Sequence, residues 1–218
     1  FDKVVTDGTH YLEETGSDGK KVYYTTNTAI QQTKTGAVIS SIVSDKNAIG
    51  YISLGSLDES INVVKVNGVY PTEETVLSGE YKIQRPFVIM TKAGQTLTAL
   101  TADFMSYLKG NASKEHAEAA GCIFLEDGQM RANKGESAIE VIEYERQSAL
   151  PAGDKIVIRG STSVEKFINS AAKSYAQMYG VDPEDIFNIQ LEGSSVGRKA
   201  VESDTVGNVI GLSSASVN

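Results

Sequence analysis

The fold is decided by residues 155–214, which repeat one pattern: KIVIRGSTSV at 155–164, NIQLEGSSVG at 188–197 and NVIGLSS at 208–214. In each stretch an apolar run typical of a buried strand ends in a short loop of Gly, Ser or Thr. Helical patterns at 164–179 and from Val196 onward separate the strands, which we expect at 155–159, 186–191 and 208–212. Strands that alternate with helices form parallel sheets, so the pattern predicts an α/β fold.

The three loops lie at the carboxyl ends of their strands, where open α/β sheets bind ligands. Hydroxyl groups and the unpaired N–H groups of a helix start can together bind a small anion. Each loop alone has an ordinary explanation, because Ser and Thr are preferred helix caps. Three such loops at one sheet edge favour an anion site instead. The candidate residues are Ser161, Thr162, Ser163, Gly193, Ser194, Ser195, Ser213 and Ser214.

A nucleotide site is not indicated. The stretch GSSVGRK at 193–199 is only superficially similar to the Gly-x-x-x-x-Gly-Lys loop of nucleotide-binding proteins, because its glycines are too close together. A small tetrahedral anion fits these loops better than ATP.

Composition excludes several other classes of function. The 218 residues carry a net charge of -8, which argues against a nucleic-acid partner but does not exclude a small anion bound by uncharged donors. No apolar run reaches the roughly 18 residues of a membrane span, and residues 1–7 do not form a signal peptide, so we expect no direct membrane insertion of this segment.

Cys122 is the single cysteine and we expect a buried structural thiol there, whereas His10 and His116 are expected at the surface. We predict no metal site and no cofactor.

The first half of the chain also alternates strand and helix patterns. Asn67-Gly68 between β-forming residues predicts a tight hairpin turn. A charged connector at 126–153 separates this half from the repeated pattern, with a short strand or helix expected around 139–144. The other predicted elements are a short strand at 22–24, a helix at 36–44, a buried strand at 48–54, a helix capped by Thr72, a strand at 86–90 and a helix at 96–108.

The loop-bearing stretches resemble the opening section of PstS-type phosphate-binding proteins of ABC transporters. The similar residues are IRGSTSV at 158–164, QLEGSSVG at 190–197 and VIGLSS at 209–214. The resemblance implies a periplasmic-binding-protein-like lobe, with a mostly parallel sheet and helices on both faces. It also implies that Thr162 and Ser163 donate hydrogen bonds to phosphate, together with Ser194 and Ser214.

The first half is similar to the later part of the same family, in NAIGYISLG at 47–55 and in residues 64–87. The order of the two parts is therefore reversed, and either a segment of a tandem protein or a circular permutation would explain it. In both cases we expect one lobe over residues 46–218. We divide the chain into a closing section at 1–125, the connector at 126–153 and an opening section at 154–218. The first 45 residues would be either a remnant of a second lobe or a replacement element packed on the first.

Two departures from the family pattern bear on binding. The family's other lobe holds phosphate with an Arg-x-Asp-Gly-Ser-Gly-Thr-Arg-like loop, which nothing in this chain matches; Phe1-Asp2 resembles the residues directly after that loop. Some members also carry an acidic residue in the third loop, where this chain has Ser214, and many carry Arg where it has Ala215. We therefore expect weak phosphate binding, or none, by this segment alone.

The resemblance implies a noncatalytic solute-binding protein that captures inorganic phosphate for import through an ABC transporter membrane permease. It implies an extracytoplasmic location, with a lipid anchor as an option in a part of the protein outside this chain. The alternative is a cell-surface interaction or signalling module with little or no ligand binding, and the alternative ligands are sulfate and molybdate. A hydrolase using Ser161 or Ser194 is disfavoured, because a nucleophilic serine needs a nearby base and both histidines lie far from these loops in sequence.

Overall fold

A computed structural model describes residues 13–15, 17, 19, 21–23, 28–124, 130–131, 136–137 and 143–214. Within these ranges the helices are α1 (Thr35–Ser44), α2 (Glu73–Leu77), α3 (Ala99–Lys109), α4 (Lys114–Ala119), α5 (Glu165–Met178), α6 (Pro183–Ile186) and α7 (Ser194–Glu202). The strands are β1 (Glu13–Thr15), β2 (Lys21–Tyr23), β3 (Val88–Met90), β4 (Met130–Arg131), β5 (Glu136–Ser137), β6 (Ile156–Gly160), β7 (Phe187–Leu191) and β8 (Val209–Ser213). Short 3-10 turns occur at Leu54–Ser56, Asn111–Ser113 and Thr162–Val164.

The chain divides into two compact units. The first unit comprises residues 1–32, 62–84 and 130–136, and the second comprises residues 33–61, 85–129 and 137–218. No helix of the described ranges is long and apolar enough to cross a lipid bilayer.

The first unit is built from short local elements. The predicted turn is present, because Asn67 and Gly68 both have positive φ, at 50° and 81°, and Val66 pairs with Val69. The predicted Thr72 cap is also present: its hydroxyl accepts a hydrogen bond from the N–H of Thr75 at the start of α2. Both features follow from local sequence chemistry alone.

The second unit contains a four-stranded sheet in the order β3-β8-β6-β7. Strand β6 runs parallel to both β7 and β8, as the alternation of strands and helices predicts, while β3 pairs antiparallel with β8 at one edge. The α/β class and the mostly parallel sheet are thereby confirmed.

Helices cover both faces of this sheet. On one face Ile210 and Leu212 of β8 join the buried core with residues of α3 and α5. On the other face a Cβ added to Gly211, between them in sequence, would meet the Val201 side chain of α7 at 2.6 Å. Alternate residues of a strand point to opposite faces, so α7 lies opposite α3 and α5.

Aromatic rings form the centre of the core beneath the sheet. The Phe104 ring of α3 lies 5.0 Å from the ring of Tyr175 and 4.7 Å from that of Phe187, measured between centroids. Phe104 and Tyr175 are fully buried. The α3 helix that carries Phe104 ends at Gly110 as its pattern predicts, but it begins at Ala99, three residues later than predicted, after the capping hydroxyl of Thr98.

The predicted buried strand at residues 48–54 is wrong. Residues 48–53 form neither strand nor helix, Leu54 begins a 3-10 turn, and Ile49 and Tyr51 are 84% and 61% exposed. An apolar run forms a strand only where a neighbouring strand pairs with it, and the sequence cannot show whether one does. Two predictions cannot be compared fully with the structure. Most of the predicted element around 139–144 lies outside the described residues, and so does residue 24 of the predicted strand at 22–24.

Candidate functional site

Three loops meet at one edge of the main sheet. Gly160, the last residue of β6, lies in register with Leu191 of β7 and with Leu212 of β8. Main-chain hydrogen bonds join the loops directly: the N–H of Ser161 donates to the carbonyl of Leu212 at 3.0 Å, and the N–H of Gly193 donates to the carbonyl of Gly160 at 2.8 Å. The three hydroxyl-bearing loops predicted from the sequence are therefore neighbours in space.

Gly160 is required by this close approach. Its φ of 142° is a backbone conformation that favours glycine, and an added Cβ would overlap the main-chain carbonyl oxygen of Leu212. The glycine therefore lets β6 and β8 deliver their loops side by side.

The second and third loops are joined through their serines. The hydroxyl of Ser194, the first residue of α7, accepts a hydrogen bond from the N–H of Ser214 at 3.1 Å, and the two hydroxyl oxygens are 3.4 Å apart. Ser213 and Ser214 are buried, whereas Ser195, on the first turn of α7, is exposed. The structure thus brings Ser194 and Ser214 together and leaves Ser195 facing solvent.

In the first loop, Ser161 has the capping role that is the ordinary explanation of such a residue. Its hydroxyl accepts a hydrogen bond from the N–H of Ser163 at 3.2 Å, and its side chain is 4% exposed. A hydroxyl that accepts a hydrogen bond keeps its own hydrogen to donate, so capping does not exclude anion contact. Thr162 and Ser163 are half-buried.

Thr162 and Ser163 also line a cavity of about 230 Å³, which Ser194 and Ser214 do not line. The sequence did not predict that residues from the first half of the chain reach this cavity. Thr35, at the start of α1, places its hydroxyl oxygen 3.4 Å from that of Thr162. The sequence does place the Thr35 hydroxyl at the start of a predicted helix. Its proximity to the loop of Thr162, however, depends on tertiary packing, which the sequence does not show.

The cavity carries charges of both signs. Asp58 and Lys166 line it, and hydrogen bonds from the hydroxyl and the N–H of Ser60 hold the pKa of Asp58 below its ordinary value. An ionised Asp58 repels an anion in this cavity, whereas the ammonium of Lys166 attracts one. The two charges therefore offset each other and do not select the cavity or exclude it as the position of an anion.

The candidate loops hold hydrogen-bond donors without charge. The eight candidate residues are all serine, threonine or glycine, and the N-terminus of α7 adds a partial positive charge. Such a set can bind an oxyanion, but it contains no side-chain base that could activate a serine. His116, predicted at the surface, is partly exposed, and its Nδ1 lies 2.9 Å from the hydroxyl of Ser170 on α5. His10 lies outside the described residues.

Other chemistry is not indicated in the part of the chain that the structure describes. No group of three or more His, Cys, Asp or Glu side chains is arranged to hold a metal ion there. Cys122 is half-buried and packs against the core, and burial raises the pKa of its thiol. A thiol with a raised pKa is a poor nucleophile, in keeping with a structural cysteine.

Comparisons with known proteins give a consistent result. The chain is 34% identical over 200 residues to phosphate-binding protein PstS 2 of Streptococcus pneumoniae, covering 92% of this chain and 61% of that protein. It is 33% identical over 187 residues to phosphate-binding protein PstS 2 of Streptococcus agalactiae, covering 85% of this chain and 57% of the relative. The chain thus spans about three fifths of the length of these curated relatives. No family model matches it.

A solved structure extends the similarity to the fold. The phosphate-binding protein of a phosphate ABC transporter from Streptococcus pneumoniae matches with a TM-score of 0.63 and 32% identity. The match covers 95% of this chain and 72% of that structure. The chain therefore belongs to the family of PstS-type phosphate-binding proteins.

Proposed function

We propose that this chain is part of a noncatalytic solute-binding protein that captures inorganic phosphate and delivers it to the membrane permease of an ABC transporter. Membership of the PstS-type family supports the proposal, because the relatives from both streptococci are named phosphate-binding proteins. The solved relative is described as belonging to a phosphate ABC transporter. Import is consistent with an extracytoplasmic location, which is part of the proposal, as is a lipid anchor elsewhere in the protein.

The observation that carries the proposal is the meeting of three hydroxyl loops at one sheet edge. Ser161 and Leu212 are joined by their main chains, and Ser194 accepts from the N–H of Ser214. In the proposed site Thr162, Ser163, Ser194 and Ser214 donate to phosphate oxygens. Ser195 contributes its main-chain N–H in the first turn of α7, while Gly193, whose own N–H donates to the carbonyl of Gly160, holds the loops in place together with Ser161 and Ser213.

Uncharged hydrogen-bond donors alone do not discriminate between small oxyanions. Discrimination of protonated phosphate from sulfate needs an acceptor that faces the phosphate proton. Ser214 stands where some family members have an acidic residue, and its hydroxyl oxygen is a weaker acceptor than a carboxylate. We therefore assign the choice between phosphate and sulfate to residues outside the three loops.

Calorimetric titration of the full-length protein tests the proposal. Phosphate, sulfate and molybdate are titrated separately, and micromolar binding of phosphate is the expected result. Micromolar binding of sulfate or molybdate with none of phosphate would make the protein a binder of another oxyanion. Absence of binding by all three would favour the interaction module.

A further inference from the structure

The end of the connector is fixed to the core through one tyrosine. The hydroxyl of Tyr144 donates to the Asp103 Oδ2 of α3 at 2.8 Å. Tyr175 of α5 and Tyr179, just beyond it, donate to the same oxygen at 2.7 Å and 3.2 Å. One carboxylate oxygen thus accepts from three phenols that come from two different parts of the chain.

The same stretch of chain follows α3 along its length. At the end of α3, the N–H of Tyr144 donates to Oδ1 of Asn111 at 3.3 Å. At its start, the N–H of Leu100 donates to the carbonyl of Ala152 at 3.1 Å. Since Asn111 follows α3 and Leu100 is its second residue, residues 144–152 run antiparallel to the helix.

Further contacts bind this stretch to Tyr179, the residue directly after α5, and to the core. The guanidinium of Arg146 lies 5.0 Å from the centroid of the Tyr179 ring, within cation–π distance. Leu150 and the Tyr144 ring pack against the buried core. Burial, together with the hydrogen bonds at Asp103, raises the pKa of Tyr144 and of Tyr175 far above the ordinary range, so both phenols stay protonated and keep donating.

We propose that residues 143–153 form a strap that locks the preceding segment 85–124 to the following segment 154–214, with the Tyr144–Asp103 hydrogen bond as its latch. The strap lies between the two segments in sequence and contacts α3 of one and Tyr179, the residue directly after α5, of the other. The pairing of β3 with β8 joins the same two segments a second time. This proposal does not depend on phosphate binding.

Hydrogen exchange of the whole chain, followed by mass spectrometry, tests the latch. Tyr144→Phe removes only the hydroxyl and keeps the ring in the core. We expect amide exchange of α3 and α5 to accelerate together by about tenfold or more, because a hydrogen bond to a carboxylate is lost from a half-buried site. The matched control is Tyr70→Phe, the same chemical change at an exposed residue of the first unit, and it leaves exchange in both helices at the wild-type rate.

A second variant separates the strap from the phenol cluster as a whole. Tyr179→Phe removes the longest of the three bonds to Asp103 and the 3.1 Å contact between the Tyr179 and Tyr144 hydroxyls. It keeps the Tyr144–Asp103 bond and the ring under Arg146, so it accelerates exchange in α3 and α5 less than Tyr144→Phe does. Faster exchange confined to residues 143–153 in Tyr144→Phe would overturn the proposal. Equal acceleration by Tyr179→Phe and Tyr144→Phe would overturn it as well, because the latch would then not lie in the strap.

Discussion

At the scale of single residues, the candidate site depends on a few hydroxyls with more than one role. Ser194 begins α7, accepts from the N–H of Ser214 and is proposed to donate to phosphate. These roles are compatible, because a hydroxyl has one hydrogen to donate and two lone pairs to accept with. Removing the Ser194 hydroxyl therefore deletes a proposed phosphate donor and also the acceptor that holds the N–H of Ser214 in the third loop.

Replacement of Ser194 by Ala is expected to weaken phosphate binding by the full-length protein about 10- to 100-fold, as one hydrogen bond to a charged ligand is lost. Calorimetric titration measures the change. Ser203→Ala is the matched control, since this serine is exposed at the far end of α7 and donates only to the carbonyl of Ala200. Unchanged affinity in Ser194→Ala would remove Ser194 from the site.

Asp204 gives a prediction about stability and pH. Its carboxylate is buried, which disfavours the charged form, but the N–H groups of Gly207, Val206 and Val209 outweigh this and hold its pKa below the ordinary value. A lowered folded-state pKa means that the carboxylate stabilises the fold above about pH 4, the pKa of an unfolded Asp. That contribution is lost as the pH falls through the lower, folded-state pKa.

We therefore expect Asp204→Asn to lower the free energy of unfolding at pH 7, and the difference from wild type to shrink steadily below pH 4. Urea unfolding at a series of pH values measures it. The exposed Asp154→Asn is the control and changes stability little at any pH. A difference that stays constant down to the lowest pH would show that ionisation of Asp204 is not what stabilises the loop.

At the scale of elements, the close approach of β6 and β8 decides where the loops lie. Gly160→Ala would force a side chain into the Leu212 main chain at a φ of 142°, and we expect it to destabilise the protein by about 2 kcal/mol or more. Urea denaturation measures the loss. Gly36→Ala is the control, because an added Cβ there meets open space in the first turn of α1, and it should be neutral or slightly stabilising.

If Gly160→Ala were as stable as wild type, strand β6 would have to shift relative to β8 at little cost. The two loops at the ends of these strands would then not be held in a fixed relation. Such a result would contradict the proposed geometry of the anion site.

The sequence predicted those elements whose structure is decided locally. The Asn67-Gly68 turn, the Thr72 cap and the strand–loop–helix units around β6 and β7 follow from turn chemistry, capping and periodicity. Residues 48–54 have the same apolar character as β6, yet they do not form a strand. Pairing with a neighbouring strand is a tertiary property, which a single sequence does not contain.

The candidate site divides in the same way. Its three loops could be predicted, because parallel strands place their carboxyl ends at one edge. The approach of Thr35 to Thr162 and the strap at Tyr144 could not, because each joins residues more than 30 positions apart. The reversed order of the two family sections and the single lobe at 46–218 remain predictions, which the sequence of the complete gene would test.

At the scale of the whole molecule, we expect the proposed phosphate site to be incomplete within these 218 residues. Its candidate donors are uncharged, its net charge is -8, and no loop in it resembles the Arg-containing loop of the family's other lobe. Each charge-assisted hydrogen bond that is missing costs about 1.5 to 3 kcal/mol of binding free energy. We therefore expect the 218 residues alone to bind phosphate with a Kd of about 1 mM or weaker. The three loops would then contact the anion without binding it tightly.

The most direct test is a phosphate titration of the isotopically labelled 218-residue chain, monitored through the amide resonances of Ser161, Gly193, Ser194 and Ser214. These four resonances are expected to shift together and to approach saturation only at millimolar phosphate, while that of Gly207, near the opposite end of β8, stays unchanged. Micromolar saturation would show that the chain holds a complete site. Shifts elsewhere with the four loop amides unmoved would contradict the assignment of the anion site to this sheet edge.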